Sequence, residues 1–205
     1  MPRRNRLGCH MRYRKARYNS TSCITTYYQS KENIYKTDTA AIDVYKDGSK
    51  TNSGAGAGVY CPKRNINIAQ ALGKNNSVLQ AECVGITTAA TAMLKRMVTG
   101  FNFNINSDSQ AALKALAKYT TSSKILLDCN NAFQTLTKSN RVTLRWIRGH
   151  NRSMGNDAAD ELARLATSLK VEGPEPIIPI PFSEYKTPLY KQTQSTHSEL
   201  WINAN

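Results

Sequence analysis

The sequence predicts an α/β layer structure: one five-stranded sheet with helices packed on it. Three observations carry that expectation. Short segments alternate apolar and polar residues with period two, longer ones repeat with helical period, and the order strand, strand, strand, helix, strand, helices, strand, helix places crossover helices between strands. Both ends of the 205-residue chain also differ in composition from its middle. A chain of this length suits one globular domain.

Residues 1–37 are rich in Arg, Tyr, Ser and Thr, with no acidic residue before Glu32, and read as a basic, poorly ordered tail. The domain is expected over residues 38–169. Segments 41–46 (AIDVYK), 54–61 (GAGAGVYC) and 66–72 (INIAQAL) read as three antiparallel strands, the first ending at a D-G-S turn signal. Ser77 with Gln80 three residues later is a capping-box pattern that opens a helix over 78–98. In 101–107 (FNFNINS), Phe101, Phe103 and Ile105 share one face and three asparagines the other, which makes a fourth strand. Helices at about 109–118 and 123–138 precede a fifth strand at 141–148 (RVTLRWIR). A last helix follows Gly155, with Asn156 as its cap and Ala158, Leu162, Leu165, Ala166 and Leu169 as its apolar stripe. From Lys170 onward the chain holds five of its seven prolines, a density that favours extended chain over helix.

Charge narrows the class of partner. Lys and Arg total 28 against 14 acidic residues, a net charge of +14 that favours a polyanion such as nucleic acid. Five scattered cysteines with no C-x-x-C spacing indicate neither a disulfide framework nor a zinc site. No apolar run is long enough for a bilayer span and no secretory signal opens the chain, so a protein without a membrane partner is expected inside the cell. Seven basic residues within the first 17 fit a nuclear signal, a nucleic-acid arm or a mitochondrial presequence, as well as flanking sequence with no role.

The middle stretch holds only nine acidic residues, which makes their placement informative. Asp47 and Asp108 end the first and fourth predicted strands, where open α/β sheets bind ligands. Glu82 lies on the helical stripe of Ile86, Ala89, Met93 and Met97, which must face the sheet. An ionised glutamate there costs several kcal/mol unless a cation, a partner or a raised pKa relieves it, and no Lys or Arg lies at i+3 or i+4. Asp160 is expected in the first turn of the last helix, where the helix dipole alone would explain it. Clustered carboxylates suit hard ions such as Mg²⁺ or Mn²⁺, and a pair of such ions supports in-line phosphoryl displacement.

With these residues in view, D-G-S at Asp47–Ser49, L-Q-A-E at Leu79–Glu82, S-D-S-Q at Ser107–Gln110 and G-H-N-R-S-M-G-N-D-A-A-D-E-L-A at Gly149–Ala163 resemble, in order and spacing, the type 1 ribonuclease H family. The style of V-L-Q-A-E and of the last motif is most similar to the ribonuclease H domain of animal non-long-terminal-repeat retrotransposons. The resemblance implies a ribonuclease H-like fold with strand order 3-2-1-4-5 and helices on both faces. It also implies an endonuclease that hydrolyses the RNA strand of RNA/DNA hybrids with two Mg²⁺ or Mn²⁺ ions. By position, Asp47 would bridge both metals, Glu82 and Asp108 would complete one shell, and Asp160 would bind the other ion. His150 would assist proton transfer or product release. In such elements a reverse transcriptase accompanies the domain, and a related element could supply one to this chain, expected to be a monomer. Val78 and Leu79 stand where cellular members carry a polar pair that touches the hybrid.

Candidate contacts to the hybrid's minor groove and its 2′-hydroxyls are Gly48, Ser49, Gln80 and Ser109. Lys50, Lys74 and Arg145 are candidates for phosphate contacts. Two other classes fit the same residues: an integrase-like DNA-processing enzyme on this fold, and a hybrid-binding relic of a retrotransposon polyprotein that is catalytically weak or silent.

Overall fold

The computed structural model describes residues 25–28, 41–97, 99–117, 123–149, 153–171 and 182–203. In chain order its strands are β1 (Thr25–Tyr28), β2 (Ile42–Lys50), β3 (Ala55–Cys61), β4 (Ile66–Gly73), β5 (Asn102–Ser107) and β6 (Arg141–Trp146). Its helices are α1 (Val78–Lys95), α2 (Gln110–Leu116), α3 (Lys124–Thr137), α4 (Met154–Ser168) and α5 (Phe182–Asn203). The strands form one sheet in the order β1-β6-β5-β2-β3-β4. Without β1 the order of the remaining five is the expected 3-2-1-4-5, with β2, β5 and β6 parallel and the β2-β3-β4 meander antiparallel.

β3 shows how the helices divide between the two faces. Ala57 and Val59 are buried toward α1, in clusters that contain Ala81 and Ile86. Gly56 and Gly58 alternate with them and face α4. A Cβ on Gly58 would lie 2.1 Å from Ala159 O, and one on Gly56 would lie 2.5 Å from Ala166 Cβ, so the strand and helix backbones touch. The sheet-facing stripe of α4 is therefore Gly155, Ala159, Ala163 and Ala166, all small and all buried. Leu165 and Leu169, expected on that stripe, are 54% and 45% exposed. Small residues win this face because only they allow the close approach.

The larger core lies on the α1 side. Ile86, Ala89 and Met93 are fully buried there, packed with Val44, Phe103, Ile105, Leu144 and Phe133. Met97, expected on the same stripe, is 89% exposed because α1 ends at Lys95 and Met97 turns the chain outward at a φ of 49°. The capping box is present: Ser77 Oγ accepts from Gln80 N and Gln80 Oε1 accepts from Ser77 N.

Four further expectations need correction. β2 runs straight through Asp47, Gly48 and Ser49, and the reversal comes later, where Thr51 N donates to Gly54 O. The last helix begins one turn earlier than expected, with Ser153 at its N-cap, so Asn156 lies inside it and Asp160 lies beyond its first turn. Within the region read as a tail, Thr25–Tyr28 pairs antiparallel with β6 and adds a sixth strand. In the proline-rich C-terminal part, α5 is a 22-residue helix. It contains Pro188, but residues 189–203 hold neither Pro nor Gly, so nothing there interrupts helical hydrogen bonding. Residues 1–24, 29–40 and 172–181 lie outside the described residues, as do Pro174, Pro176, Pro179 and Pro181. Among the described residues no helix is long and apolar enough to cross a membrane.

Candidate active site

The parallel pairing of β2 with β5 ends at Tyr45 and Asn106, and that of β5 with β6 ends at Ser107 and Trp146. Asp108 follows its last pair directly and Asp47 comes two residues after Tyr45, so both lie at the carboxyl ends of the parallel strands. Glu82 reaches the same place from the second turn of α1. These three carboxylates each offer an oxygen within 4.8 Å of the others. Asp47 and Glu82 are buried and Asp108 is half-buried.

Like charges this close resist ionisation together. Burial, with the Glu82 and Asp108 charges added, pushes the Asp47 carboxyl from 3.8 up to about 7, against the opposing pull of Lys46. Burial also raises Glu82, while the Lys46 ammonium and a hydrogen bond from Gly48 N–H hold it down. Since the proton is held more tightly in the folded chain, this Asp47 contribution favours folding fully below pH 3.8 and fades as pH rises to about 7. Above pH 7 the metal-free fold bears the cost, about 4 kcal/mol for a shift of this size. A divalent cation would remove it. The donor set of three carboxylates, with Asp47 unable to ionise cheaply alone, fits a hard ion such as Mg²⁺ or Mn²⁺.

Asp108 is held by its neighbours. Trp146 Nε1 donates to its carbonyl at 3.0 Å, and Asn156 Nδ2 lies 3.4 Å from its Oδ2. Asn156 is buried, and its Oδ1 has no hydrogen-bond partner among the described residues. The sequence reading made Asn156 a cap, yet its spacing of four from Asp160 already placed both on one helical face. Asp160 is outside the three-carboxylate group; it pairs with Arg164 at 3.5 Å and still adds to the field that raises Asp47. Other acids have plain structural partners: Asp43 accepts from Asn104 and Asn106 at 3.0 and 3.2 Å, and Asp128 pairs with Lys124 at 2.7 Å.

Lys46 was missed altogether. It is fully buried and forms an ion pair with Glu82, so the glutamate has a protein partner that the i+3 and i+4 positions did not reveal. The available signal was strand alternation, which puts Lys46 on the same face as Val44.

The other candidates divide. Gly48 is buried, and a Cβ on it would lie 2.4 Å from Glu82 N, so it serves the contact between β2 and α1. Gln80 spends its Oε1 in the capping box, and Ser109 caps α2 by accepting from Ala112 N. Ser49 and Lys50 are half-buried, on β2 just beyond Asp47, while Lys74 is exposed. Val78 and Leu79 open α1 beside the cluster, 47% and 43% exposed. His150 lies outside the described residues.

Residues 39–168, which span the whole sheet apart from β1 and every helix up to α4, match the RNase H family. The chain belongs to the RNase H family. A ribonuclease H from Orientia tsutsugamushi (strain Boryong) is 28% identical over 151 residues, covering 66% of this chain and 86% of that protein. As an RNase H enzyme the chain belongs among hydrolases that act on RNA/DNA hybrids and generally use divalent metal. The RNase H domain thus places its acidic cluster where strand polarity alone would put a ligand site.

Proposed function

We propose that this chain is an endonuclease that hydrolyses the RNA strand of RNA/DNA hybrids with two divalent cations, held by Asp47, Glu82, Asp108 and Asp160. The observation that carries this reading is the meeting of Asp47, Glu82 and Asp108 within 4.8 Å at the strand ends of an RNase H domain. When bound, Mg²⁺ or Mn²⁺ would supply an activated water and charge stabilisation at the leaving oxygen. The protein's own part is positional. Asn156 and Trp146 fix Asp108 from two elements, and the α1 capping box fixes the turn that presents Glu82. Ser49 is the candidate hydrogen-bonding contact to the hybrid, and Val78 and Leu79 offer an exposed apolar surface at the start of α1. In this reading His150 moves a proton or aids product release.

The test is a panel of end-labelled substrates in Mg²⁺: RNA/DNA hybrid, double-stranded DNA, double-stranded RNA and single-stranded RNA. Cuts confined to the RNA of the hybrid, and stopped by chelator, are expected. Joining or nicking of DNA with indifference to RNA would instead support an integrase-like enzyme.

The motif style at Val78–Glu82 and Gly149–Ala163 supports kinship with retrotransposon domains, so a reverse transcriptase from a related element is the proposed protein partner. The unit proposed is a monomer acting inside the cell, and sedimentation as a single-chain species tests the first point.

The basic N-terminal segment has a place in this reading. β1 runs antiparallel to β6, with Thr25 opposite Arg145 and Tyr28 opposite Val142. The chain therefore enters β1 from the carboxylate end of the sheet. Seven basic residues and no acidic one precede Thr25, a composition that suits phosphate contacts. Removing residues 1–24 is expected to weaken hybrid binding about ten-fold at low salt and to flatten the salt dependence by a slope of roughly 2 or more. Unchanged affinity and slope would assign the segment no role in binding.

A further inference from the structure

The structure builds a place for Lys46 inside the protein. On β2 it follows Val44 at i+2, and in the register with β3 it stands opposite Val59, so it points toward α1 among apolar side chains. Gly85 lies three residues after Glu82, on the same side of α1. A Cβ on Gly85 would lie 3.3 Å from Lys46 Cδ and 3.2 Å from Asp47 O, so its absence leaves the slot that the lysine stem fills. The Nζ ends on Glu82 Oε2. A buried ammonium persists only when such a partner is supplied, and a carboxylate in the same place needs the ammonium equally.

We propose that Lys46 is a positioning residue that occupies one oxygen of Glu82 as the resident cation of the cluster, so that a divalent ion binds mainly through Asp47 and Asp108. This rests on reading the cluster as a divalent-cation site. In the metal-free protein the ion pair holds the Glu82 side chain fixed toward the strand ends. Once a divalent ion enters, it and the ammonium share one carboxylate and repel each other across it. The site therefore binds metal less tightly than its carboxylates would without Lys46.

Mn²⁺ titration by calorimetry at pH 8, together with thermal unfolding of the metal-free proteins, tests this without any cleavage assay. Lys46→Met should bind Mn²⁺ about five-fold more tightly or better, since a positive charge beside the ion is gone. Its metal-free unfolding midpoint should fall by about 5 °C or more, because Glu82 is left unpaired. The double variant Lys46→Met/Glu82→Gln leaves no buried charge unpaired and keeps the net charge. It should recover the midpoint and bind Mn²⁺ within about three-fold of wild type, whereas Glu82→Gln alone should bind far more weakly. Wild-type affinity in Lys46→Met, or a double variant as weak as Glu82→Gln, would overturn the proposal. No Mn²⁺ binding by the wild-type protein would overturn the cation-site reading beneath it.

Discussion

Asp47→Asn should abolish hybrid cleavage by at least roughly a thousand-fold, about 4 kcal/mol of barrier, and yet yield a more stable metal-free protein. The two effects share one cause. Asp47 sits among Glu82, Asp108 and Asp160, and its carboxyl titrates at about 7 because burial and those charges oppose its ionisation. Asparagine keeps the shape and removes the charge that metal binding requires. At pH 8 the variant should gain about 2 kcal/mol or more in the absence of metal, roughly 5 °C in unfolding midpoint for a domain of this size. The wild-type advantage at low pH should appear as a midpoint that falls between pH 4 and 7, a fall much reduced in the variant. Thermal scans across that range, beside cleavage rates in Mg²⁺, read out both. An inactive variant with the pH profile of wild type would break the link between the cluster's repulsion and its function.

Gly58→Ala should be the most damaging single-methyl change in the protein. The added carbon would sit 2.1 Å from Ala159 O and 2.5 Å from Ala163 N, both backbone atoms of α4, which cannot rotate away. Either β3 or α4 must shift, and α4 carries Asn156 and Asp160. A loss of about 3 kcal/mol or more is expected, the upper range for overpacking, with a midpoint lower by roughly 10 °C. Cleavage measured well below that midpoint should also fall, since Asn156 no longer meets Asp108. A variant of wild-type stability would mean that α4 is not packed backbone to backbone on β3.

Periodicity revealed the elements that bury large apolar residues. β5 with its alternating Phe103 and Ile105, and α1 with Ile86, Ala89 and Met93, stood out because their burial patterns repeat at two and near four. Where packing uses small residues the same rule failed. On α4 it found Ala166 but chose Leu165 and Leu169 beside it, although Ala159 and Ala163 join Ala166 against the sheet and the glycines of β3 make that contact possible. β1 was hidden for another reason: four residues, Thr25–Tyr28, are too few to show alternation, although their threonines and tyrosines favour strand. D-G-S looked like a turn because the local preference of Asp and Gly was read without the antiparallel pairing of β3, which carries β2 through it.

The site divided along the same line. Asp47, Asp108 and Glu82 were legible because acids at strand ends and on a core-facing stripe are costly wherever they occur. Lys46 was not, since it meets Glu82 across 36 residues, and no helical spacing reports a contact between a strand and a helix. Asn156 was visible in the sequence but given a capping role that Ser153 holds by position.

Mn²⁺ binding to the chelator-treated protein at pH 8, followed by calorimetry for wild type and Asp47→Asn, addresses the acidic cluster most directly. Saturable binding to the wild-type protein that raises its unfolding midpoint, with both effects lost in the variant, is the expected result. Equal binding and equal stabilisation in the two proteins would contradict it.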